Sequence, residues 1–367
     1  MLRLHDIAIL GGTPAGYAAA YYLAKKKCDV VVLDVPQQGA QCPLADWVSA
    51  DFFHLPHLPR DLAKACKAQA FKTVVYHSND LSRTAEQRSA SNVGHFLQTS
   101  ELTRVLAAAA KKAGAKIRTS TTPPAIRLDE DHVELVGSAQ VAARLLIFVQ
   151  GRPNDALGDL ALPARTIGPS PLVVAGLDCH IDEPLDGALH VLELPERTEL
   201  GVFFCVGNLL HLRVISSSAA SLTRAAELSA MVSVLQRGKL LPTNLPLGRA
   251  RGAVWRPPAG MALELETHLA KRSVLAGTAG GFAEAITGQA LVPTVASAIL
   301  AAEAGLAALG TQDVQDALTG YEKAWRKQLE GRLRPPTTPF QMLLPLMFAN
   351  KKVAQKLTQA LLTGEGI

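Results

Sequence analysis

Residues 6–10 (D-I-A-I-L) form a short, apolar run rich in isoleucine and leucine, the pattern of a buried strand. It is broken at once by Gly11-Gly12-Thr13-Pro14-Ala15-Gly16. Small and aromatic residues up to 27 then read as a helix, and residues 29–33 (D-V-V-V-L) as a second strand ending at Asp34. Strand, glycine turn, helix and strand in about thirty residues make a βαβ unit. That unit requires a parallel sheet and a right-handed crossover, so it constrains the fold more than any other feature of the chain.

A phosphate-binding turn uses glycine for the tight turn, for close approach to a pyrophosphate, and for helix–strand packing. Gly11 and Gly16 fit the first and third roles, while Thr13 stands at the close-approach position. Asp34 lies where a carboxylate accepts bonds from an adenosine ribose. The residues read as a dinucleotide site; the competing reading is a turn whose glycines serve packing alone.

Hydrophobic residues make up 48% and charged residues 19% of the 367, which excludes a disordered chain. The 37 basic and 32 acidic residues are scattered, with no tract to mark a nucleic-acid surface, so no nucleic-acid partner is expected. Five cysteines without a CxxC pair suit a reducing compartment, and the expected location is cytoplasmic. Residues 289–310 form the longest weakly polar run, but Pro293, Ser297 and Glu303 interrupt it, favouring a buried helix over a membrane span.

The fold class expected is α/β. A Rossmann-like parallel-sheet domain takes residues 1–165 and 266–311, and a mainly antiparallel sheet domain is inserted at 166–265. A helical tail follows at 312–367, broken at Pro335-Pro336. Residues 101–113 read as a helix; 116–120, 125–128, 132–136 and 145–149 as strands; and 36–59 as irregular. In the insertion, 189–194, 201–206 and 211–215 read as strands and 221–237 as a helix.

A second strand and glycine turn come late: R-S-V-L-A-G-T-A-G-G-F-A-E-A-I-T-G-Q-A (residues 272–290), leading into a long helix. Together with residues 6–24 and 101–115, this stretch resembles the glutathione-reductase-type FAD oxidoreductases. Within them it is most similar to the branch of geranylgeranyl reductases, aromatic-ring hydroxylases and flavin-dependent halogenases. The resemblance implies FAD, held by Gly11, Gly12, Thr13, Pro14, Ala15, Gly16 and Asp34 at one turn. It also implies Gly277, Thr278, Gly280, Gly281, Thr287 and Gly288 at the other, with Thr99 at the start of the helix between. The chain departs from the pattern at Thr278, where the family has the aspartate that holds a ribityl hydroxyl, and at Thr99, where it has a pyrophosphate-binding arginine. Gln150-Gly151 replaces an Asp-Gly pair, and Ala285 and Ala290 replace a proline and a glycine.

No G-x-S-x-G elbow, H-E-x-x-H helix or zinc-spaced Cys/His cluster is present, so no metal is expected. His54 and His57 read as loop histidines, and residues 178–182 as a strand or turn surface. Cys42 is the one catalytic candidate, because it resembles a cysteine that geranylgeranyl reductases place beside the flavin; the alternative is a small, partly buried thiol. No second complete fingerprint marks an NAD(P)H domain. The external reductant is therefore NAD(P)H bound transiently, or a reductase partner. The sheet segments and the tail are apolar, pointing to a small, mainly apolar substrate. Residues 348–362 form an amphipathic helix, read as docking on its own chain rather than making peripheral membrane contact. Two functions are expected from this: an FAD-dependent monooxygenase or reductase, or a relative that keeps the fold without FAD and acts as a binding or scaffolding protein, with an active homologue as its protein partner.

Overall fold

A computed structural model describes residues 3–36, 44–162, 168, 170–194, 199–217, 225–246, 250–338 and 340–365. The chain begins β1 (Leu4–Leu10), α1 (Pro14–Lys25), β2 (Val30–Asp34), β3 (Ala45–Ser49), α2 (Leu62–Ala65), β4 (Gln69–Phe71), β5 (Thr73–His77), β6 (Thr84–Arg88), β7 (Gly94–Gln98) and α3 (Thr99–Ala113). It continues through β8 (Lys116–Thr119), β9 (Ala125–Leu128), β10 (Val133–Val136), β11 (Val141–Phe148), α4 (Pro153–Asp159), β12 (Val173–His180), β13 (Leu189–Glu193), β14 (Glu199–Val206), β15 (Leu209–Ser216) and α5 (Ala225–Arg237). It closes with β16 (Arg251–Trp255), β17 (Leu269–Ala270), β18 (Ser273–Leu275), α6 (Leu291–Ala308), α7 (Val314–Leu333), α8 (Phe340–Met347) and α9 (Lys351–Thr363).

The first sheet runs β17-β18-β11-β1-β2-β8, with the β9–β10 hairpin attached to β11. β1 lies parallel to both neighbours, with Leu10 opposite Leu33 and Phe148. Helices cover one face and the β9–β10 hairpin with α4 the other. Val30 to Leu33 are therefore fully buried on both sides and show no polar alternation. Ala18, Ala19 and Ala20 are all buried, and their small side chains, spread round the helix, let α1 pack closely against its neighbours.

The second sheet runs β16-β12-β15-β14-β13-β5-β6 and is antiparallel except where β5 joins β13. The two strands at one edge, β5 and β6, come from residues 73–88, far ahead of the inserted segment, so the chain enters this sheet twice. Residues 36–59, expected to be irregular, contain β3, which pairs with β7 in a third sheet, β3-β7-β4. These strands went unread because β3 finds its partner half a hundred residues away and β6 alternates on a half-exposed edge.

The tail docks on the chain itself. Phe340, Leu344, Leu357 and Leu361 join the core of the second sheet with Val202 and Phe204, and Tyr76 Oη donates to Thr358 Oγ1 at 3.0 Å. Among the described residues one helix, α6, is long and apolar enough to cross a membrane, and 78% of it is buried inside the protein.

The β5–β13 seam carries a buried histidine pair. His190 Nε2 donates to Asp186 at 2.9 Å, which leaves His190 Nδ1 to accept from His77 Nε2 at 3.1 Å. Burial, reinforced by His190, lowers the His77 pKa from 6.5 to about 4. The unfolded chain thus binds the proton first, and stability falls as pH drops from 6.5 towards 4. Across that window the loss should be about 3 kcal/mol. Denaturant midpoints at neutral and mildly acidic pH will measure it, and His77→Gln should flatten the dependence; an unchanged slope in the variant would refute the assignment.

Candidate functional site

The strand order places three carboxyl ends side by side: β1 ending in the first glycine turn, β11 in Gln150-Gly151, and β18 in the second turn. At the first turn Gly11 has φ of +125°, and its N–H donates to Leu33 O at 3.0 Å. Thr13 is the N-cap of α1, and its Oγ1 accepts from Gly16 N at 3.2 Å. The hydroxyl thereby takes up a helix N-terminal N–H that would otherwise face a ligand. Asp34 Oδ2 accepts from Tyr17 Oη at 3.1 Å, and burial raises the Asp34 pKa. A Cβ at Gly12 would stand 2.1 Å from Asp34 Oδ1, so only glycine admits the carboxylate in this position. Gly12, Thr13, Pro14 and Asp34 are half-buried, while Ala15 and Gly16 are buried.

At the second turn Gly277 N donates to Ser297 Oγ at 3.0 Å and Thr278 N to Val149 O at 3.1 Å. Thr278 Oγ1 accepts from Gly151 N at 3.4 Å, so the threonine ties this turn to the end of β11. Gly280 O accepts from His268 Nε2 at 2.9 Å, and Gly281 packs on the backbone of Ala262. Thr287 is buried with its hydroxyl on Glu284, and Gly288 lies against Pro257. Burial pushes the Glu284 carboxyl up to about 8, outweighing Arg332 at 3.3 Å, and the nearby Asp51 charge adds to the rise. Thr99 is placed differently from the rest. Its N–H and Oγ1 both donate to Leu44 O, at 3.0 and 3.2 Å, fastening α3 to the entry of β3. Cys42 lies outside the described residues.

The arrangement that sequence reading missed joins the second turn to the antiparallel sheet. Gln289 Nε2 donates to Asp46 Oδ1 at 2.7 Å and to Trp47 O. Arg213 Nη2 donates to the same Asp46 oxygen at 3.0 Å, and Arg213 Nε to His211 Nε2 at 3.2 Å. His211 Nδ1 then donates to Asp178 Oδ1 at 2.5 Å, while Leu44 N donates to Asp178 Oδ2 at 3.1 Å. His211 is fully buried and Arg213 2% exposed, with the guanidinium between Trp47 (4.7 Å) and Trp255 (5.3 Å). Burial lowers the His211 pKa, so the imidazole is neutral with its proton on Nδ1. Asp178, expected on a surface, is 5% exposed, because β12 is flanked by β15 and β16 and Asp178 sits directly opposite His211. The spacing His211-Leu212-Arg213 was the available signal: two polar residues on one face of an otherwise apolar strand. His57, by contrast, is a surface histidine held by Glu303 at 2.8 Å.

No family model matches the chain. A digeranylgeranylglycerophospholipid reductase of Methanosarcina acetivorans is 28% identical over 159 residues, 41% of this chain and 39% of that protein. The match thus spans well under two thirds of that relative's length. A digeranylgeranylglycerophospholipid reductase 2 of Methanococcoides burtonii is 23% identical over 88% of this chain and 80% of its own. Among solved structures, a geranylgeranyl bacteriochlorophyll reductase-like protein of Thermoplasma acidophilum has a TM-score of 0.73 at 15% identity, covering 98% of this chain and 91% of its own. PqsL, a probable FAD-dependent monooxygenase from Pseudomonas aeruginosa, has 0.73 at 17%, covering 97% and 100%. The chain shares the fold of these two solved structures over nearly its whole length.

Proposed function

We propose that this chain is a flavin-dependent oxidoreductase that holds FAD across the carboxyl ends of β1, β11 and β18. Its substrate would be a small, mainly apolar molecule at the junction with the antiparallel sheet. The observation that carries the reading is the juxtaposition of two glycine turns on one sheet edge, with Gly12, Thr13, Pro14 and Thr278 half-buried along the rim. The residues fit the flavin and its phosphates through backbone and neutral groups: Gly11 and Gly277 hold positive φ at the two turns. The neutral Thr278 and Thr99 stand where the resemblance implies an aspartate and an arginine. The names of the reductases and the monooxygenase above support an oxidoreductase of this class.

FAD bound here supplies hydride or oxygen chemistry. The chain's own residues do the rest. Gln289 ties the second turn to β3, Arg213 lies between two indoles and bonds Asp46, and His211 holds its proton at Nδ1 against Asp178. An external donor, NAD(P)H or a reductase protein, would supply electrons.

The visible absorption spectrum of the purified protein tests this. The expected result is a flavin spectrum, with FAD released on denaturation. A colourless chain that takes up no added FAD would overturn the reading and favour the binding or scaffolding role. That second reading draws on the self-capping of Thr13 and on the ties Thr278 makes within the chain.

A further inference from the structure

A dinucleotide on this type of sheet edge sets its pyrophosphate at the N-terminus of the first helix and its adenosine ribose on the acid that ends the second strand. In this chain, side chains of the protein already occupy that end of the edge. Tyr17 Oη donates to Asp34 Oδ2 at 3.1 Å, from a side chain 4% exposed, and Asp34 Oδ1 rests over Gly12 in the space a Cβ would take. One carboxylate oxygen therefore already accepts from the chain and the other is pressed onto the turn, which leaves the pair poorly placed for a vicinal diol. A second crossbar comes from β11. Gln150 Nε2 donates to Val35 O at 3.2 Å, reaching from the end of β11 to the end of β2 across β1, which lies between them. Its Cβ also stands 2.5 Å from where a Cβ on Gly11 would be, so the side chain leaves β11 beside Gly11, at the start of the first turn, and ends at Val35 beyond β2, on the adenosine side.

We infer that Tyr17 and Gln150 set the ligand specificity of this site by latching its adenosine end, so that binding rests on the flavin and adjoining phosphate and gains little from adenosine. The inference rests on the flavin reading above. Its consequence is that flavin mononucleotide binds about as well as FAD, whereas an unlatched edge would favour the dinucleotide.

The experiment measures dissociation constants for FAD and FMN by quenching of flavin fluorescence, using the full chain, Tyr17→Phe, Gln150→Ala and the double variant. Thermal unfolding confirms that each variant is folded; Phe keeps the ring and Ala keeps the Cβ beside Gly11. The wild type should bind the two flavins within about threefold of each other, and the double variant should gain about tenfold for FAD alone, the worth of a freed hydrogen bond to a charged group. A wild-type preference for FAD of about a hundredfold, or a double variant whose FAD-to-FMN ratio does not move, would overturn the latch and leave the flavin reading standing. Binding of neither flavin by any of the four proteins would overturn both.

Discussion

Arg213→Ala should be among the most damaging single substitutions in this chain, lowering stability by about 3 to 5 kcal/mol. The guanidinium is 2% exposed and bonds Asp46, itself 7% exposed, at 3.0 Å. Removing it strands a buried carboxylate whose remaining partners are the Gln289 amide and the backbone N–H of Trp47. It also deprives His211 Nε2 of its donor and opens a gap between Trp47 and Trp255. Denaturant unfolding of the variant measures the cost. The pair Arg213→Met with Asp46→Asn should recover most of it, because a buried charge pair replaced on both sides leaves no unmatched charge. A double variant as unstable as Arg213→Ala would show that packing between the indoles, and not the charge pair, dominates.

Gly277→Ala is the second large effect, and here the clash is with backbone. An added Cβ would lie 2.3 Å from Val149 O and 3.1 Å from Val149 C, at a residue with φ of +58°. No rotamer change relieves an overlap with a carbonyl held in the β11–β18 edge. The turn must therefore shift, taking with it the bond from Thr278 N to Val149 O. We expect a loss of more than about 3 kcal/mol and a weaker hold on any flavin, from left-handed strain and overpacking together. Gly114→Ala is the control: its φ is +113° with nothing within 4 Å, so it reports backbone strain alone, about 1 to 2 kcal/mol. Equal losses in the two variants would refute the steric argument.

The two glycine turns were legible because each needs a local run of residues: a β-branched strand, a break, and a small-residue helix. Gly11, Gly16 and Gly277 keep the positions read for them. The same locality explains what was missed. Nothing near Trp47 marks residues 45–49 as a strand, since the ladder forms only with residues 94–98. Nothing near Asp178 marks it as buried; its aspartate becomes half of a hydrogen-bonded pair only when β15 brings His211 opposite. The departures at Thr13, Thr99 and Thr278 were legible as changes of residue type. Their consequence was not, because each hydroxyl turns to a partner of its own chain.

By itself, then, the sequence determined the parallel βαβ core, the position of both turns on it and the existence of an apolar second sheet. Periodicity, glycine and β-branching act within a few residues of where they are written. The tertiary structure alone decided that Asp34 faces Tyr17, that Gln150 reaches Val35, and that Gln289, Asp46, Arg213, His211 and Asp178 form one buried chain between sheets. Those pairings join residues up to 243 positions apart. A buried polar group has to find its partner wherever packing places one, however far off along the chain.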